Sequence, residues 1–308
     1  MLQFGIDLGG TKTEIIALDA EGNTHLRQRI ATPSHDYYAI IDAISGLIQQ
    51  AKSDCHTTDF SLGIGIPGAI SPATGLIKNA NTTCLIGKPF QHDLQHALQH
   101  EVTLANDADC FALSEATDGA AAGYASVFGV ILGTGCGGGI VIHGQLLNGP
   151  NAIAGEWGHN PLPWLSEQDH ANPCYCGQHG CIETFLSGPG LQRHAMTLTG
   201  IELSVPQWQQ RALTQDRHAL AVFDYYNHCL ARALASVINV LDPAAIVLGG
   251  GLSNLPDLYH EVPRRWQSWA FSDSINTPLL PAHHGDSSGV RGAAWLGAQA
   301  ARQVRNYA

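Results

Sequence analysis

The chain has 308 residues, and 15 Lys plus Arg against 26 Asp plus Glu give a net charge of −11 with His neutral. That balance argues against broad nucleic-acid binding and against an anionic membrane surface. The length suffices for two domains with cores of their own, no apolar run approaches the roughly 18 residues of a membrane span, and MLQFGIDLGG lacks the basic and apolar regions of a signal peptide, so a cytoplasmic protein is expected.

The first elements in chain order are three short strands, LQFGIDLG, TEIIALDA and HLRQRIAT, with Gly9-Gly10-Thr11-Lys12 and Glu21-Gly22-Asn23 as the turns, so the chain opens as an antiparallel trio. Tyr37, Ile40, Ile41, Ile44, Leu47, Ile48 and Ala51 recur at helical spacing over 36–52. A buried strand follows at 61–67, a helix at 90–100, a strand at 102–106 and a helix at 107–118. The pattern then restarts. ASVFGVIL (125–132) and GGIVIHGQ (137–144) flank a second glycine turn, a long helix covers 216–241, AAIVLGGG (244–251) is a strand, and 288–302 reads as a terminal helix. This weak symmetry, with a period of about 120 residues, is too long for a solenoid and suggests two α/β domains of similar topology. Glycine is 34 of 308, about 11% against a usual 7%, which suggests backbone that approaches a ligand closely.

Three glycine-rich strand ends point to a nucleotide. In Asp7-x-Gly9-Gly10-Thr11-Lys12 the backbone N–H groups can meet a phosphate, Thr11 and Lys12 add a hydroxyl and a cation, and Asp7 can face hydrated Mg²⁺. A plain hairpin turn is the bland reading of this segment. Gly133-Thr134-Gly135, inside a run with five glycines in seven residues, exceeds what a hairpin needs. Leu248-Gly249-Gly250-Gly251 ends a third strand. None of these is a P-loop or a GxGxxG fingerprint.

Asn106 and Asp107 follow a strand and open a helix, where either serves as an N-cap. A carboxylate there is a weak base, which suffices when a hydroxyl gives up its proton late in a loose phosphoryl transfer. Cys174-x-Cys176-x4-Cys181 supplies three thiolates in one loop, and His159 or His179 would complete a closed tetrahedral Zn²⁺ set. The segment 148–182 has few large apolar residues to order it, so a metal would supply that order. Glu156 and Glu183 flank it as acceptors for ligand hydroxyls. The remaining five cysteines read as buried thiols, and the scattered histidines, His100 among them, as surface residues.

Taken together, IDLGGTKTE, IPG, LANDAD, ILGTGCGGG, AGEWGHNP, CYCGQHGCIETFLSG and IVLGGG resemble, in order and over essentially the whole chain, the ROK family of sugar kinases, repressors and uncharacterised reading frames. EWGHNPLPW and HGDSSGVRGAAWL resemble its fructokinase (mannofructokinase) branch. The resemblance implies a two-domain actin-like ATPase (ribonuclease H-like) fold with an interdomain cleft for ATP and sugar. Its domains would be 1–118, with a helix at about 288–308 packing back on it, and 119–287 carrying the zinc loop. It implies Asp107 as catalytic base and Asn81, Asn106, Asp107, Glu156, His159 and Glu183 as sugar contacts. ATP and Mg²⁺ would fall to Asp7, Gly9, Gly10, Thr11, Lys12, Gly133, Thr134, Gly135, Gly249, Gly250 and Gly251. Structural Zn²⁺ would be held by His159, Cys174, Cys176 and Cys181, with His159 serving metal and sugar through different ring nitrogens. A homodimer is expected. The implied reaction is ATP-dependent phosphorylation of a hexose 6-hydroxyl, fructose first, with glucose, mannose and N-acylhexosamines as alternatives. Cys84 and Ile86 stand where that branch carries Trp and Asn. A repressor of the same family would need a DNA-binding module ahead of the strand at Leu2, and none is expected.

Overall fold

The computed structural model describes residues 1–166 and 169–307. It contains β1 (Leu2–Leu8), β2 (Lys12–Leu18), β3 (Thr24–Ala31), α1 (Tyr37–Asp54), β4 (Phe60–Ile66), a short ribbon β5 (Ala69–Ile70) and β6 (Ile77–Lys78), α2 (Phe90–Leu98), β7 (Thr103–Asn106) and α3 (Asp107–Thr117). Then come β8 (Ser126–Leu132), β9 (Cys136–Ile142), β10 (Gln145–Leu146), α4 (Glu183–Leu186), α5 (Gly188–Thr199), α6 (Val205–Leu213), α7 (Arg217–Leu241), β11 (Ala245–Gly249), α8 (Leu258–Trp266), β12 (Leu279–Pro281) and α9 (Ser288–Tyr307). The elements expected from periodicity are present within a few residues. The sequence reading did not specify α4, α5, α6, α8, β10 or β12.

Among the described residues the strands form two five-stranded sheets and the two-stranded ribbon. The first sheet runs β3-β2-β1-β4-β7, with β1–β2–β3 antiparallel and β4 and β7 parallel to β1. The second runs β10-β9-β8-β11-β12, with β11 parallel to both β8 and β12. The two orders are the same: a first strand flanked on one side by its hairpin partners and on the other by parallel strands. This is the internal symmetry expected from the repeated glycine turns.

The chain divides into two compact units. One comprises Met1–Gly123, Gly139–Ala154 and the segment from His283 on; the other comprises Tyr124–Gly138 and Gly155–Ala282. In the first unit, Asp36 caps α1 by accepting from the N–H groups of Tyr38 and Ala39. The seven residues read as the apolar face of α1 are buried, against Phe4, Ile6, Ile15 and Leu62 of the sheet. Side chains of this size contribute about 1.5–3 kcal/mol each when removed from water.

The other face of β1 and β4 receives α9. An added Cβ on Gly5 would stand 2.2 Å from Val290 O, on Gly63 2.0 Å from Ala293 O, and on Gly292 1.7 Å from Cys110 O. At these positions glycine lets backbone pack on backbone, so part of the glycine excess belongs to helix–sheet contact and not to ligand approach. Of the five scattered cysteines, Cys110, Cys136 and Cys229 are buried, and Cys55 and Cys84 are half-buried. His100 is not a surface bystander: its ring stacks on Phe60 at 4.2 Å, and burial pushes it below the usual imidazole range. Among the described residues no helix is long and apolar enough to cross a membrane.

Candidate active site

In the first unit, the hairpin between β1 and β2 presents Gly9, Gly10 and Thr11. Gly9 N–H donates to Lys12 O at 2.9 Å. Thr32, at the end of β3, grips both sides of the tip: its hydroxyl donates to Gly9 O at 2.8 Å and its N–H to Thr11 O at 3.0 Å. Gly9 and Gly10 thus belong to a braced turn whose tip is open to a ligand. No local signal in the sequence marks Thr32, because it reaches the hairpin only through strand pairing.

Asp7 lies at the end of β1 beside this turn. Burial pushes its carboxyl up to about 7, the charges of Asp107 and Glu14 push the same way, and Arg29 opposes them. Glu14 is itself buried and pairs with Arg27 and Arg29 of the neighbouring strand. A half-buried carboxylate with the charges of two further carboxylates near it is a hard-oxygen donor that suits Mg²⁺, so Asp7 fits the role expected of it.

Asn106 closes β7 and caps α3. Its side-chain oxygen accepts from Ala108 N–H at 2.9 Å and its amide donates to Gly68 O at 3.1 Å. The plain capping reading therefore holds for this residue. Asp107 is the first residue of α3, with Oδ1 accepting from Ala108 N–H at 2.8 Å. Asn81 is exposed, and its N–H donates to Pro67 O at 3.1 Å, which ties the 80–87 segment to the Ile66-Pro67-Gly68 corner.

In the second unit, Trp157 anchors the GEWGH segment. It is buried, stands edge-on to Phe128 at 5.4 Å, and donates from Nε1 to Gly137 O at 3.1 Å. Glu156 and His159 are carried on either side of this anchor. The Glu183 carboxylate accepts from Cys136 N–H at 2.9 Å, and Gly188 N–H donates to Gly133 O at 2.7 Å. Glu183 is thereby brought onto the Gly133–Gly135 loop. Gly250, at φ +81°, packs where a Cβ would stand 2.4 Å from Leu132 O, so the Gly249–Gly251 strand end lies against the strand that leads into that same loop.

The ligand atoms of His159, Cys174, Cys176 and Cys181 all lie within 4.8 Å of one another, and His179 is not in this cluster. Cys176 Sγ is 3.6 Å from Cys181 Sγ, and Cys174 Sγ is 3.5 Å from His159 Nδ1. Zn–S bonds of about 2.3 Å and Zn–N bonds of about 2.0–2.1 Å place tetrahedral S···S pairs about 3.8 Å apart and S···N pairs about 3.6 Å apart. Donor set and spacing both fit Zn²⁺. His159 Nε2 points away from the thiols and is 2.9 Å from the Tyr175 hydroxyl, a partner the sequence reading did not name.

The long loop has a second anchor, also unforeseen. Arg232 of α7 and Asp169 form an ion pair at 2.9 Å with both side chains 2% exposed. Arg232 also donates to Trp164 O at 2.8 Å, and Tyr225 donates to Asp169 at 2.6 Å. Burial raises the Asp169 carboxyl, but the hydrogen bonds from Arg232 and Tyr225 outweigh it and hold the group well below the usual range.

The profile of the ROK family matches residues 3–300. The chain belongs to the ROK family. It is 39% identical over 300 residues to an N-acetyl-D-glucosamine kinase of Photobacterium profundum, covering 96% of this chain and 99% of that one. It is 37% identical over 300 residues to an N-acetylgalactosamine kinase of Shewanella sp., covering 96% of each. The crystal structure of a ROK hexokinase from Thermus thermophilus superposes with a TM-score of 0.88 at 27% identity, covering 98% of this chain and 100% of that chain. The fold is the mixed α/β, actin-like ATPase fold of ROK kinases.

The relatives favour the N-acylhexosamine alternative over fructose. The structure gives the fructokinase-like segments packing roles. In HGDSSGVRGAAWL, His284 and Arg291 pair with Asp118, the Ser288 hydroxyl donates to Glu115 at 2.7 Å, and Gly292 packs on Cys110. In EWGHNPLPW, Trp157 and Leu162 are buried, and Trp164 meets Trp269 at 5.2 Å. These residues fasten α9 to α3 and the loop to its scaffold, so their identity reports packing and not the choice of sugar.

Proposed function

We propose that this protein is an ATP-dependent kinase that phosphorylates the 6-hydroxyl of an N-acetylhexosamine, N-acetylglucosamine first. The observation that carries the reading is the identity, across nearly the full length of both chains, with kinases of two N-acetylated amino sugars. The site residues support it.

Asp107 orients the 6-hydroxyl and accepts its proton as the phosphoryl group arrives, a role open to an ordinary carboxylate in a loose transition state. Asn81, Asn106, Glu156, His159 and Glu183 hold the remaining sugar oxygens. The hairpin at Gly9, Gly10, Thr11 and Lys12, the loop at Gly133, Thr134 and Gly135, and the strand end at Gly249–Gly251 bind the nucleotide through backbone N–H groups and small residues. Asp7 holds hydrated Mg²⁺, which when bound neutralises charge on the transferring phosphates. His159, Cys174, Cys176 and Cys181 hold Zn²⁺, which orders the loop that carries Glu156 and Glu183.

An ADP-release assay over N-acetylglucosamine, N-acetylgalactosamine, N-acetylmannosamine, glucose, mannose and fructose tests the reading. The highest kcat/KM is expected for an N-acetylated sugar. A higher value for fructose or an unacetylated aldohexose overturns the substrate class, and no turnover with any member overturns the kinase.

A further inference from the structure

In the second unit a cavity of about 690 Å³ opens at the C-terminal end of α7, between the turn into β11 and the segment 270–277 that leads to β12. Gly249–Gly251 stand at the other end of β11, about 13 Å along the strand, so the cavity is separate from the glycine-rich strand ends. Its walls are fixed by side chains. The Asn239 amide donates to Trp269 O at 3.1 Å, and its oxygen accepts from Phe271 N–H at 2.8 Å. The Thr277 hydroxyl donates to Pro243 O at 2.9 Å. The segment is thereby stapled to α7 at one end and to the turn at the other.

The electrostatics of this cavity are one-sided. α7 runs for 25 residues and has no basic residue in its last turn, so the negative end of its dipole is uncompensated there. Pro243 has no N–H, and Ala244 N–H donates to the Ser126 hydroxyl at 2.9 Å. The carbonyls of Asn239 and Val240 therefore lack the donors that a continuing helix would supply. Asp242 caps the helix at φ +45° and lines the cavity with a carboxylate that has no ion-pair partner among the described residues. Among the described residues no Lys, Arg or His lines it. Phe271 does, with its side chain fully exposed, and Ser274 and Asn276 add a hydroxyl and an amide. A carboxylate, a helix C-terminus and a free aromatic face all attract a cation.

We propose that this cavity binds a small organic ammonium ion bearing hydroxyl groups, the chemistry of an amino alcohol or of an amino sugar with a free amine. The ammonium donates to Asp242 and to the carbonyl end of α7, the carbon frame lies on Phe271, and the hydroxyls meet Ser274 and Asn276. A neutral polyol leaves the carboxylate and the helix end uncompensated, and an anion is repelled by both. The cavity shares no residue with the proposed kinase site, so the two readings stand or fall separately.

Hydrogen exchange of the full chain, read at 270–277 during titration at pH 6.5, tests the site and localises binding to it. The probes are ethanolamine, glucosamine and, as the neutral counterpart, N-acetylglucosamine. The amines should slow exchange in this segment saturably and less tightly at high salt, and N-acetylglucosamine should leave it unchanged. Protection by ethanolamine alone assigns an amino alcohol, and by glucosamine alone an amino sugar. Asp242→Asn, which keeps a residue tolerant of the left-handed cap, should weaken binding at least about tenfold, the loss of a charge-assisted hydrogen bond. Phe271→Ala should weaken it about threefold. Unchanged melting temperatures in both variants show that the fold is kept. No saturable protection with either amine overturns the site, as does equal protection by the neutral sugar or unchanged affinity in Asp242→Asn. Protection that rises with protein concentration without any amine marks a face covered by another chain and overturns it too.

Discussion

Asp7 and Asp107 stand at the ends of β1 and β7, in a sheet covered by α1 on one face and α9 on the other. Glu156, His159 and Glu183 belong to a stretch whose only regular pieces, among the described residues, are a short 3-10 turn at Trp157–His159 and the start of α4. The first set is positioned by ladder hydrogen bonds and apolar burial. The second is positioned by one buried tryptophan, a thiol–imidazole cluster and a buried ion pair. Groups with the same proposed duty, holding oxygens, therefore depend on different forces, and each force can be removed while the other is left in place.

Metal removal should separate them most sharply. Chelation, or Cys176→Ser, should abolish turnover while the first unit keeps its hydrogen-exchange protection, because the residues that lose their positions are Glu156 and Glu183. Elemental analysis of active wild type should find about one zinc per chain. Active protein without metal would break the comparison.

The ion pair comes next. Arg232→Met leaves the Asp169 carboxylate buried without its cation and should cost about 3–5 kcal/mol in urea unfolding, whereas pairing it with Asp169→Leu should restore most of that stability. Equal losses in the single and double variants would show that packing, and not charge, fastens the loop.

Asp107→Asn keeps the start of α3 but removes the base. We expect kcat to fall at least about 10²-fold, with sugar affinity and melting temperature nearly unchanged. Near wild-type turnover would remove Asp107 from the chemistry.

The smallest effect is one of pH. The Asp7 carboxyl keeps its proton up to about pH 7 when folded, but only to about pH 4 when unfolded. The folded chain therefore binds the extra proton across that window, and stability should fall as pH rises through it. In Mg²⁺-free buffer at pH 8, Asp7→Asn should be more stable than wild type and should flatten the pH dependence. A variant that is less stable at pH 8 would mean that the buried carboxylate is well solvated by its neighbours.

Much of the first set was legible in the chain. The strand–turn–strand around Gly9-Gly10, the helix start at Asn106-Asp107 and the apolar face of α1 are local patterns, each fixed by residues within a few positions of one another. The cysteine cluster was legible for the same reason, since three of its members fall within eight residues. Spacing left its fourth member open, because His159 and His179 both lie near enough in sequence, and the family resemblance pointed to His159. The folded loop, which turns Nδ1 of His159 toward Cys174, puts His159 and not His179 in the cluster. Thr32 on the hairpin, Tyr175 on His159 and Arg232 on Asp169 carried no signal, because each contact depends on how distant segments pair.

The sequence by itself determined the elements that open each half, the glycine turns between them and the family, because these follow from short-range periodicity and from motifs in which neighbouring residues do the work. What a given glycine or histidine is for was decided only by tertiary structure. Gly5, Gly63 and Gly292 count toward the glycine excess that suggests ligand approach until α9 is packed on the sheet. HGDSSGVRGAAWL reads like a substrate signature until His284 and Arg291 are found on Asp118. A side chain's role is set by what lies within about 4 Å of it, and for these residues that neighbour comes from more than 50 positions away or from a different element.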